Sequence, residues 1–272
     1  MNERRVLFLL VLCGALVVGG CKTVQTTQPG AVGVERRQVM LLSSAQVDQA
    51  AGQAYQKTLQ TAAAKGTLNR DPATLTRVRA VASHLVPATA AFRSDAPAWQ
   101  WEVNVITSPE VNAWCMPGGK IAVYTGILDK LRLSDAELAA ILGHEIAHAL
   151  REHGRERTSR QVAQNAVIGI GAVLLGVGQL GQDLAGVVAD VTVALPNSRE
   201  HEREADRIGV ELAARAGYDP RAAITLWQKM QQAGGRSPPQ FLSTHPSSQS
   251  RIEDLQGYAA QVMPLYESAR RQ

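Results

Sequence analysis

The sequence predicts an α+β fold that is mainly helical and carries one small antiparallel sheet. Two observations support this prediction: capped helical segments recur along most of the chain, whereas strand-like alternation and turn residues are confined to residues 99–124. The chain has 272 residues, 45% of them hydrophobic, which suits one compact domain with appendages. We assign that domain to residues 41–272.

The strand region contains three segments rich in Val, Ile, Tyr and Trp, and the last two flank the turn Pro117-Gly118-Gly119. We interpret them as the three strands of the antiparallel sheet, over Trp99–Ile106, Val111–Cys115 and Lys120–Tyr124.

The helices are recognised by their capping residues. Ser134 and Glu137 have the spacing of a capping box, and the helix that they open is expected to run to His153, with Gly154 as its stop. A further helix is expected over roughly residues 199–216.

The amino terminus has the pattern of an export signal. Arg4 and Arg5 precede an apolar run over residues 6–18, which is too short to span a membrane comfortably and ends in small residues. We therefore expect residues 1–20 to be a lipoprotein signal peptide.

The signal ends at Cys21, and the segment Val18-Gly19-Gly20-Cys21 resembles a bacterial lipobox. The resemblance implies lipidation of Cys21, and Lys22, which is not Asp, then implies sorting to the periplasmic face of the outer membrane rather than the inner membrane. Residues 21–40 show no sustained period and are expected to form a lipid-anchored tether.

A second apolar stretch covers residues 162–180 and is apolar nearly all round. Such a stretch must be buried or meet lipid. We expect a helix packed on the domain, with membrane contact as the alternative.

The net charge of +4 is mild and the basic residues are scattered, which argues against a nucleic-acid partner. Of the three cysteines, only Cys115 lies beyond the predicted lipidation site. Without a neighbouring cysteine it is interpreted as a small core residue in a strand.

The segment His144-Glu145-Ile146-Ala147-His148 carries the chemistry. Histidines four residues apart lie on one helix face, where both imidazoles can bind one zinc ion, and Glu145 is then placed beside the open coordination position. In an ordinary helix without a metal, these polar groups would be buried without partners among apolar neighbours. Burying polar groups without partners costs free energy of folding.

A catalytic zinc usually takes three protein ligands and leaves one position to water. Four candidates for the third ligand crowd one downstream segment: Glu200, His201, Glu202 and Glu204. His153 is rotated away from the ligand face of a continuous helix, so we expect it to pack or bond near the helix end.

The segments Leu142–His148 and Ser198–Asp206 together resemble the HtpX and CAAX prenyl endopeptidase family of zinc peptidases. The resemblance implies a zincin-like (gluzincin) metallopeptidase domain with one zinc ion per chain. It implies that His144, His148 and Glu202 are the zinc ligands, that Glu145 is the general base, and that Asp206 orients a ligand histidine.

Two further segments resemble that family: Asn112-Ala113-Trp114 and Thr244-His245-Pro246 followed by Arg251. His245 is expected either to stabilise the oxyanion of the transition state, with Arg251 orienting it, or to ligate zinc in a latent state. A substrate strand is expected to add to the sheet edge near residues 111–114, with Asn112 fixing that edge.

The function implied is that of a periplasmic endopeptidase that cleaves misfolded or misassembled envelope proteins. Its expected partners are polypeptide substrates, among them outer-membrane proteins or their assembly machinery. The lipid anchor is expected to attach it to the membrane. The alternative is a chaperone-like assembly factor for outer-membrane proteins, in which zinc is structural and cleavage is rare.

Overall fold

A computed structural model of the chain describes residues 22–174, 184–233, 239–246 and 249–271, with the backbone alone for Lys22 and residues 165–174. The predicted signal peptide, the lipidation site Cys21 and the end of the apolar stretch, from residue 175, lie outside the described residues. Within them, no helix combines the length and apolarity that crossing a membrane requires.

The strands of the described chain are β1 (Lys22–Val24), β2 (Gln38–Met40), β3 (Glu102–Ile106), β4 (Ala113–Met116) and β5 (Lys120–Tyr124). The α-helices are α1 (Ser44–Ala64), α2 (Pro72–Ala88), α3 (Thr125–Leu131), α4 (Asp135–Leu150), α5 (His153–Leu174), α6 (Leu184–Ala189), α7 (Arg199–Arg215), α8 (Ala222–Ala233), α9 (Gln240–Thr244) and α10 (Gln249–Ala269). Short 3₁₀ turns cover Thr89–Ala91 and Ala96–Ala98, and one π-helical turn covers Asp190–Ala194. The mainly helical α+β class is confirmed.

The main sheet has the strand order β3-β5-β4. β4 and β5 form the predicted antiparallel hairpin, whose turn holds Gly118 and Gly119 at φ angles of +76° and +80°. β3 departs from the antiparallel prediction, since it pairs in parallel with β5. The reason is that β5 lies between β3 and β4, so two strands that run in the same direction become neighbours. β4 is consequently an edge strand.

Helix α4 forms the centre of the domain. Every residue from Glu137 to Leu150 is buried, because α4 packs between β4 and α7, with α2 and α8 beside it. The predicted capping box is present, with Ser134 and Glu137 bonding each other's backbone amides. The helix that carries the histidine motif is therefore fixed both at its start and along its whole circumference.

Two glycines allow α4 and α7 to touch along their backbones. A Cβ atom on Gly143 would lie 2.8 Å from the Gly209 carbonyl oxygen, and one on Gly209 would lie 2.8 Å from the His144 nitrogen. No side chain fits between these helices at this point.

Helix α4 ends earlier than predicted. It stops at Leu150, and Glu152 adopts a left-handed conformation with φ of +51°, so α5 starts at His153 and includes Gly154. Ion pairs from Arg93 and Arg155 hold the Glu152 carboxylate. The reversal at Glu152 turns His153 back towards α4.

The N-terminal arm, residues 22–40, is not the predicted tether. Its β1 and β2 pair as an antiparallel ribbon, and Val32 and Val34 enter the main core. Gln38 is fully buried and donates to the Arg151 carbonyl oxygen at 2.7 Å. Alternate positions of the arm face the domain, so this segment belongs to the fold.

Replacing Gly209 with Ala should destabilise the protein by about 1–3 kcal/mol, because the new methyl group meets α4 backbone that has no room to move. Urea denaturation of the metal-free protein measures this change. Gly257 is the matched control: it is an exposed helical glycine with open space around it, and Gly257→Ala should stabilise by about 0.5–1 kcal/mol. Equal effects of the two substitutions would contradict the proposed backbone contact.

Candidate metal centre

The two histidines of the motif meet on one face of α4, as their spacing requires. His144 Nε2 and His148 Nε2 lie 3.1 Å apart, and both residues are buried. Two imidazole nitrogens this close can share one cation between them.

Glu202 on α7 reaches both imidazoles across the α4–α7 contact. One carboxylate oxygen lies 3.4 Å from His144 Nε2 and the other lies 3.4 Å from His148 Nε2. Glu202 is fully buried; burial alone raises its pKa, but the surrounding imidazoles outweigh burial and hold the pKa well below its usual range. The carboxylate is therefore ionised where a cation would bind.

His245 brings a fourth nitrogen to the same point. Its Nδ1 lies 3.2 Å from His144 Nε2 and 3.0 Å from the nearer Glu202 oxygen. One ligand atom from each of His144, His148, Glu202 and His245 lies within 4.8 Å of every other.

The donor set fits zinc. Zinc binds histidine nitrogen and carboxylate oxygen at about 2.0–2.2 Å, and a tetrahedron of that size has edges of about 3.3–3.6 Å. The separations of 3.0–3.4 Å given above are close to these edges, with one Glu202 oxygen near His144 and the other near His148 and His245. Three nitrogens and one carboxylate oxygen are also the donors that zinc prefers.

Glu145 points to the same place from α4. It is buried, and its Oε1 has no hydrogen-bond partner within the described residues and lies 3.4 Å from His245 Nε2. Burial raises the pKa of its carboxyl group, while His245 and His144 oppose that rise. A buried carboxylate with a raised pKa is suited to accepting a proton.

Asp206 holds the outer nitrogen of His144. Its Oδ1 lies 3.0 Å from His144 Nδ1, which leaves His144 Nε2 free to face a metal. Burial lowers the pKa of His144, but hydrogen bonds to Asp206 and Glu202 outweigh burial and raise it to about 9. Zinc binding there must therefore displace a proton.

Arg251 contacts the carboxylates and not the ring of His245. Its Nε and Nη2 donate to the two Asp206 oxygens at 2.6 and 2.7 Å, and its Nη1 lies 2.9 Å from Glu202 Oε2. Its link to His245 is indirect, through the Pro246 carbonyl oxygen at 2.8 Å. The expected orienting role towards His245 is thus mainly a role towards Asp206 and Glu202.

His153 contacts a histidine of the motif, which residue spacing on a continuous helix did not predict. Its Nδ1 lies 2.9 Å from His148 Nδ1, and its Nε2 lies 2.9 Å from Glu204 Oε2. Burial lowers the pKa of His153 to about 3, so its ring is neutral. The left-handed Glu152 brings it back to the motif, and this break cannot be read from residue spacing on a continuous helix.

Cys115 lies within β4, and Asn112 lies directly before it. Cys115 is buried in β4, where burial raises its thiol pKa, in keeping with its interpretation as a core residue. The Asn112 side chain accepts from the Ala113 amide and donates to Glu110, so it stabilises the start of β4 locally.

The cleft beside Glu145 is closed in this structure. A cavity of about 20 Å³ remains there, lined by Cys115, His148, Thr192, Asn197 and His245 among others. Arg157 donates to the Leu195 carbonyl oxygen and to Asn197 Oδ1, both at 2.7 Å, and the Asn197 amide donates to the Thr244 carbonyl oxygen at 2.9 Å. This space is too small for a peptide.

Residues 72–259 match the sequence model of the family described as peptidase family M48. The chain belongs to peptidase family M48. Membership confirms the predicted metallopeptidase class and zinc as the cofactor, and it agrees with the resemblance drawn from the two motif segments.

Relatives of this M48 chain carry two kinds of name. The chain is similar to the mitochondrial metalloendopeptidase OMA1 of Arabidopsis thaliana, at 42% identity over 57% of this chain and 31% of the relative. It is 37% identical to OMA1 of Schizosaccharomyces pombe, over 62% of this chain and 50% of the relative. It is 32% identical to the beta-barrel assembly-enhancing protease of Escherichia coli, over 59% of this chain and 35% of the relative. The chain thus spans between 31% and 50% of the length of these relatives.

Glu202→Gln should remove most of the zinc from this M48 domain, because a neutral amide replaces the one carboxylate in the donor set. Elemental analysis should find about one zinc ion per wild-type chain and far less in the variant. Glu200→Gln is the matched control, since Glu200 lies on the same helix with an exposed side chain. Wild-type zinc content in Glu202→Gln would contradict the assignment.

Proposed function

We propose that this chain is a zinc-dependent endopeptidase of the bacterial envelope, held latent by His245 in the structure described here. One observation carries the proposal: His144, His148 and Glu202 converge with their ligand atoms on one point beside the carboxylate of Glu145. Three fixed protein ligands next to a general base form the arrangement that metal-assisted peptide hydrolysis needs.

The roles of the chain's own residues follow from this arrangement. His144, His148 and Glu202 would hold the zinc ion, which when bound would supply Lewis-acid polarisation of the peptide carbonyl and a lowered pKa of the attacking water. Glu145 accepts the proton of the attacking water and later delivers it to the leaving amine. Asp206 and Arg251 keep His144 in one tautomer and orientation throughout.

His245 fits the latent role better than the oxyanion role. An oxyanion donor has to reach the reacting carbonyl beside the metal, whereas His245 Nδ1 lies among the ligand atoms themselves. A fourth protein ligand closes a zinc site, because it takes the position that water needs. The small cavity beside Glu145 supports the same conclusion.

Substrate binding fits the edge of β4. Within the described residues β4 is paired on one side only, and Glu145 lies beneath Cys115 of this strand, so a polypeptide added along β4 would pass the general base. Backbone pairing gives affinity with little sequence preference, which suits unfolded segments of many proteins. The π-helical turn at Asp190–Ala194 packs against β4 and would have to move first.

The envelope location rests on the sequence features before residue 22 and on a relative's name. The export pattern and Cys21 favour a lipid anchor in the outer membrane, and the name of the Escherichia coli relative connects one similar protein with β-barrel assembly. The mitochondrial relatives favour a different compartment for their own chains. We propose misassembled outer-membrane proteins as the substrates.

Glu145→Gln should lower cleavage of an unfolded polypeptide such as casein by about 10²–10⁴-fold, because proton transfer to the base is lost. Its zinc content should stay at the wild-type level, since Glu145 is not in the donor set. If the variant keeps every cellular function of the wild type, the alternative of an assembly factor with structural zinc is the better explanation.

His245→Ala should raise casein cleavage, since it frees the fourth coordination position. The double variant with Glu145→Gln should be inactive, which shows that the gained activity comes from this site. His84→Ala serves as the control because His84 is exposed and bonds Tyr218. A fall in the activity of His245→Ala would instead support the oxyanion role.

A further inference from the structure

We propose that the N-terminal arm is part of the metal centre: Arg36 holds Glu204, and Glu204 acts through His153 to fix the ring of the zinc ligand His148. His153, Glu204 and Arg36 are thus positioning residues for the metal. The inference rests on the proposed role of His148 as a ligand and goes beyond it, because it assigns a role to Arg36 of the arm, which precedes His144 by 108 residues.

The proton positions on His153 and His148 follow from the hydrogen bonds that Glu204 accepts. Glu204 accepts from Arg36 Nε and Arg151 Nε, and His153 Nε2, at 2.9 Å from Glu204 Oε2, donates to the same carboxylate. The lone pair of His153 Nδ1 then faces His148. His148 Nδ1, at 2.9 Å, must therefore be the protonated nitrogen, and the lone pair of His148 Nε2 faces the ligand cluster.

The carboxylate that sets this order is held by two arginines. Arg36 Nε donates to Glu204 Oε1 at 2.7 Å, and Arg151 Nε donates to Glu204 Oε2 at 3.1 Å. Arg36 also forms two hydrogen bonds to Glu156, at 2.9 and 2.8 Å. Without Arg36, two buried carboxylates would face each other with less positive charge between them, and Glu204 would lose its fixed position.

Arg36 is held there by the fold of the arm. Its carbonyl oxygen accepts from Arg151 Nη2 at 2.9 Å, and the neighbouring Gln38 donates to Glu156 Oε2 at 2.8 Å. The side chain of Arg37, in contrast, is exposed and has no hydrogen bond or ion pair with any described residue. Arg36 and Arg37 are adjacent on the arm, but within the described residues Arg36 contacts Glu204 and Glu156 and Arg37 does not.

The test is the zinc dissociation constant, measured by competition with a fluorescent chelator on metal-stripped full-length protein. His153→Phe and Glu204→Gln should weaken zinc binding by about 10–100-fold, and Arg36→Gln should weaken it by a smaller factor. Arg37→Gln and His84→Phe should bind zinc as the wild type does. Unchanged zinc affinity in His153→Phe, or equal effects of Arg36→Gln and Arg37→Gln, would overturn the proposal.

Urea denaturation of the metal-free variants separates positioning from stability. A purely structural role would lower the metal-free stability of Arg36→Gln and leave zinc affinity unchanged, which refutes the inference. If His153→Phe does not fold, Arg36→Gln still tests the same chain of contacts. Loss of zinc binding by the wild type itself would refute the proposed function, whereas normal wild-type binding with unaffected variants refutes this inference alone.

A second readout is the tautomer of His148, observed by NMR of protein labelled with ¹⁵N at histidine. The zinc-loaded wild type should show His148 protonated at Nδ1, and His153→Phe should lose the slow exchange of that proton. Protonation of His148 at Nε2 in the wild type would contradict the inference.

Discussion

The contact between α4 and α7 is the constraint on which the rest of the structure depends. His144 and His148 come from α4 and Glu202 comes from α7, so the ligand atoms meet only if the two helix axes approach closely. Gly143 and Gly209 make this approach possible because neither presents a Cβ atom to the other backbone. The metal centre is therefore built on two rigid helices in the core, which favours precise ligand placement.

Helix α7 buries four acidic side chains, Glu202, Glu204, Asp206 and Glu211, and each of the three nearest the metal position has its own compensating partners. Glu202 lies among imidazoles and Arg251, Asp206 is held by Arg251 and His144, and Glu204 is held by Arg36, Arg151 and His153. Buried charge without such partners would be strongly destabilising. The hydrogen bonds that offset the free-energy cost of burying these carboxylates also fix the rings of His144 and His148. Folding stability and the geometry of the metal position therefore depend on one network.

The positions of the motif residues were predictable from the sequence because helical spacing and the family resemblance indicate the same residues. His144, Glu145, His148 and Glu202 lie where those signals place them, and the capping box at Ser134 marks the start of α4.

The end of α4 was not predictable, since Glu152 adopts a left-handed conformation that glycine normally signals. The parallel pairing of β3 was also missed, because alternation within a strand does not reveal its neighbour. The arm was missed for a different reason: Val32 and Val34 are buried by contacts with distant helices, which local composition does not record.

The four groups around the metal position are held in two different ways. His144, His148 and Glu202 belong to long helices packed on several sides, whereas His245 follows the five-residue helix α9. His245 is held by its backbone amide, which donates to the Phe241 carbonyl oxygen, by Asn197, whose backbone amide donates to the Thr244 carbonyl oxygen, and by its ring, whose Nδ1 lies 3.0 Å from Glu202. Withdrawal of His245 would break these contacts, whereas the helices that carry His144, His148 and Glu202 would keep their own packing. Under the proposed latent role of His245, opening of the coordination position and retention of the metal would therefore be separable, because His245 lies outside the two helices that carry the other three ligand candidates.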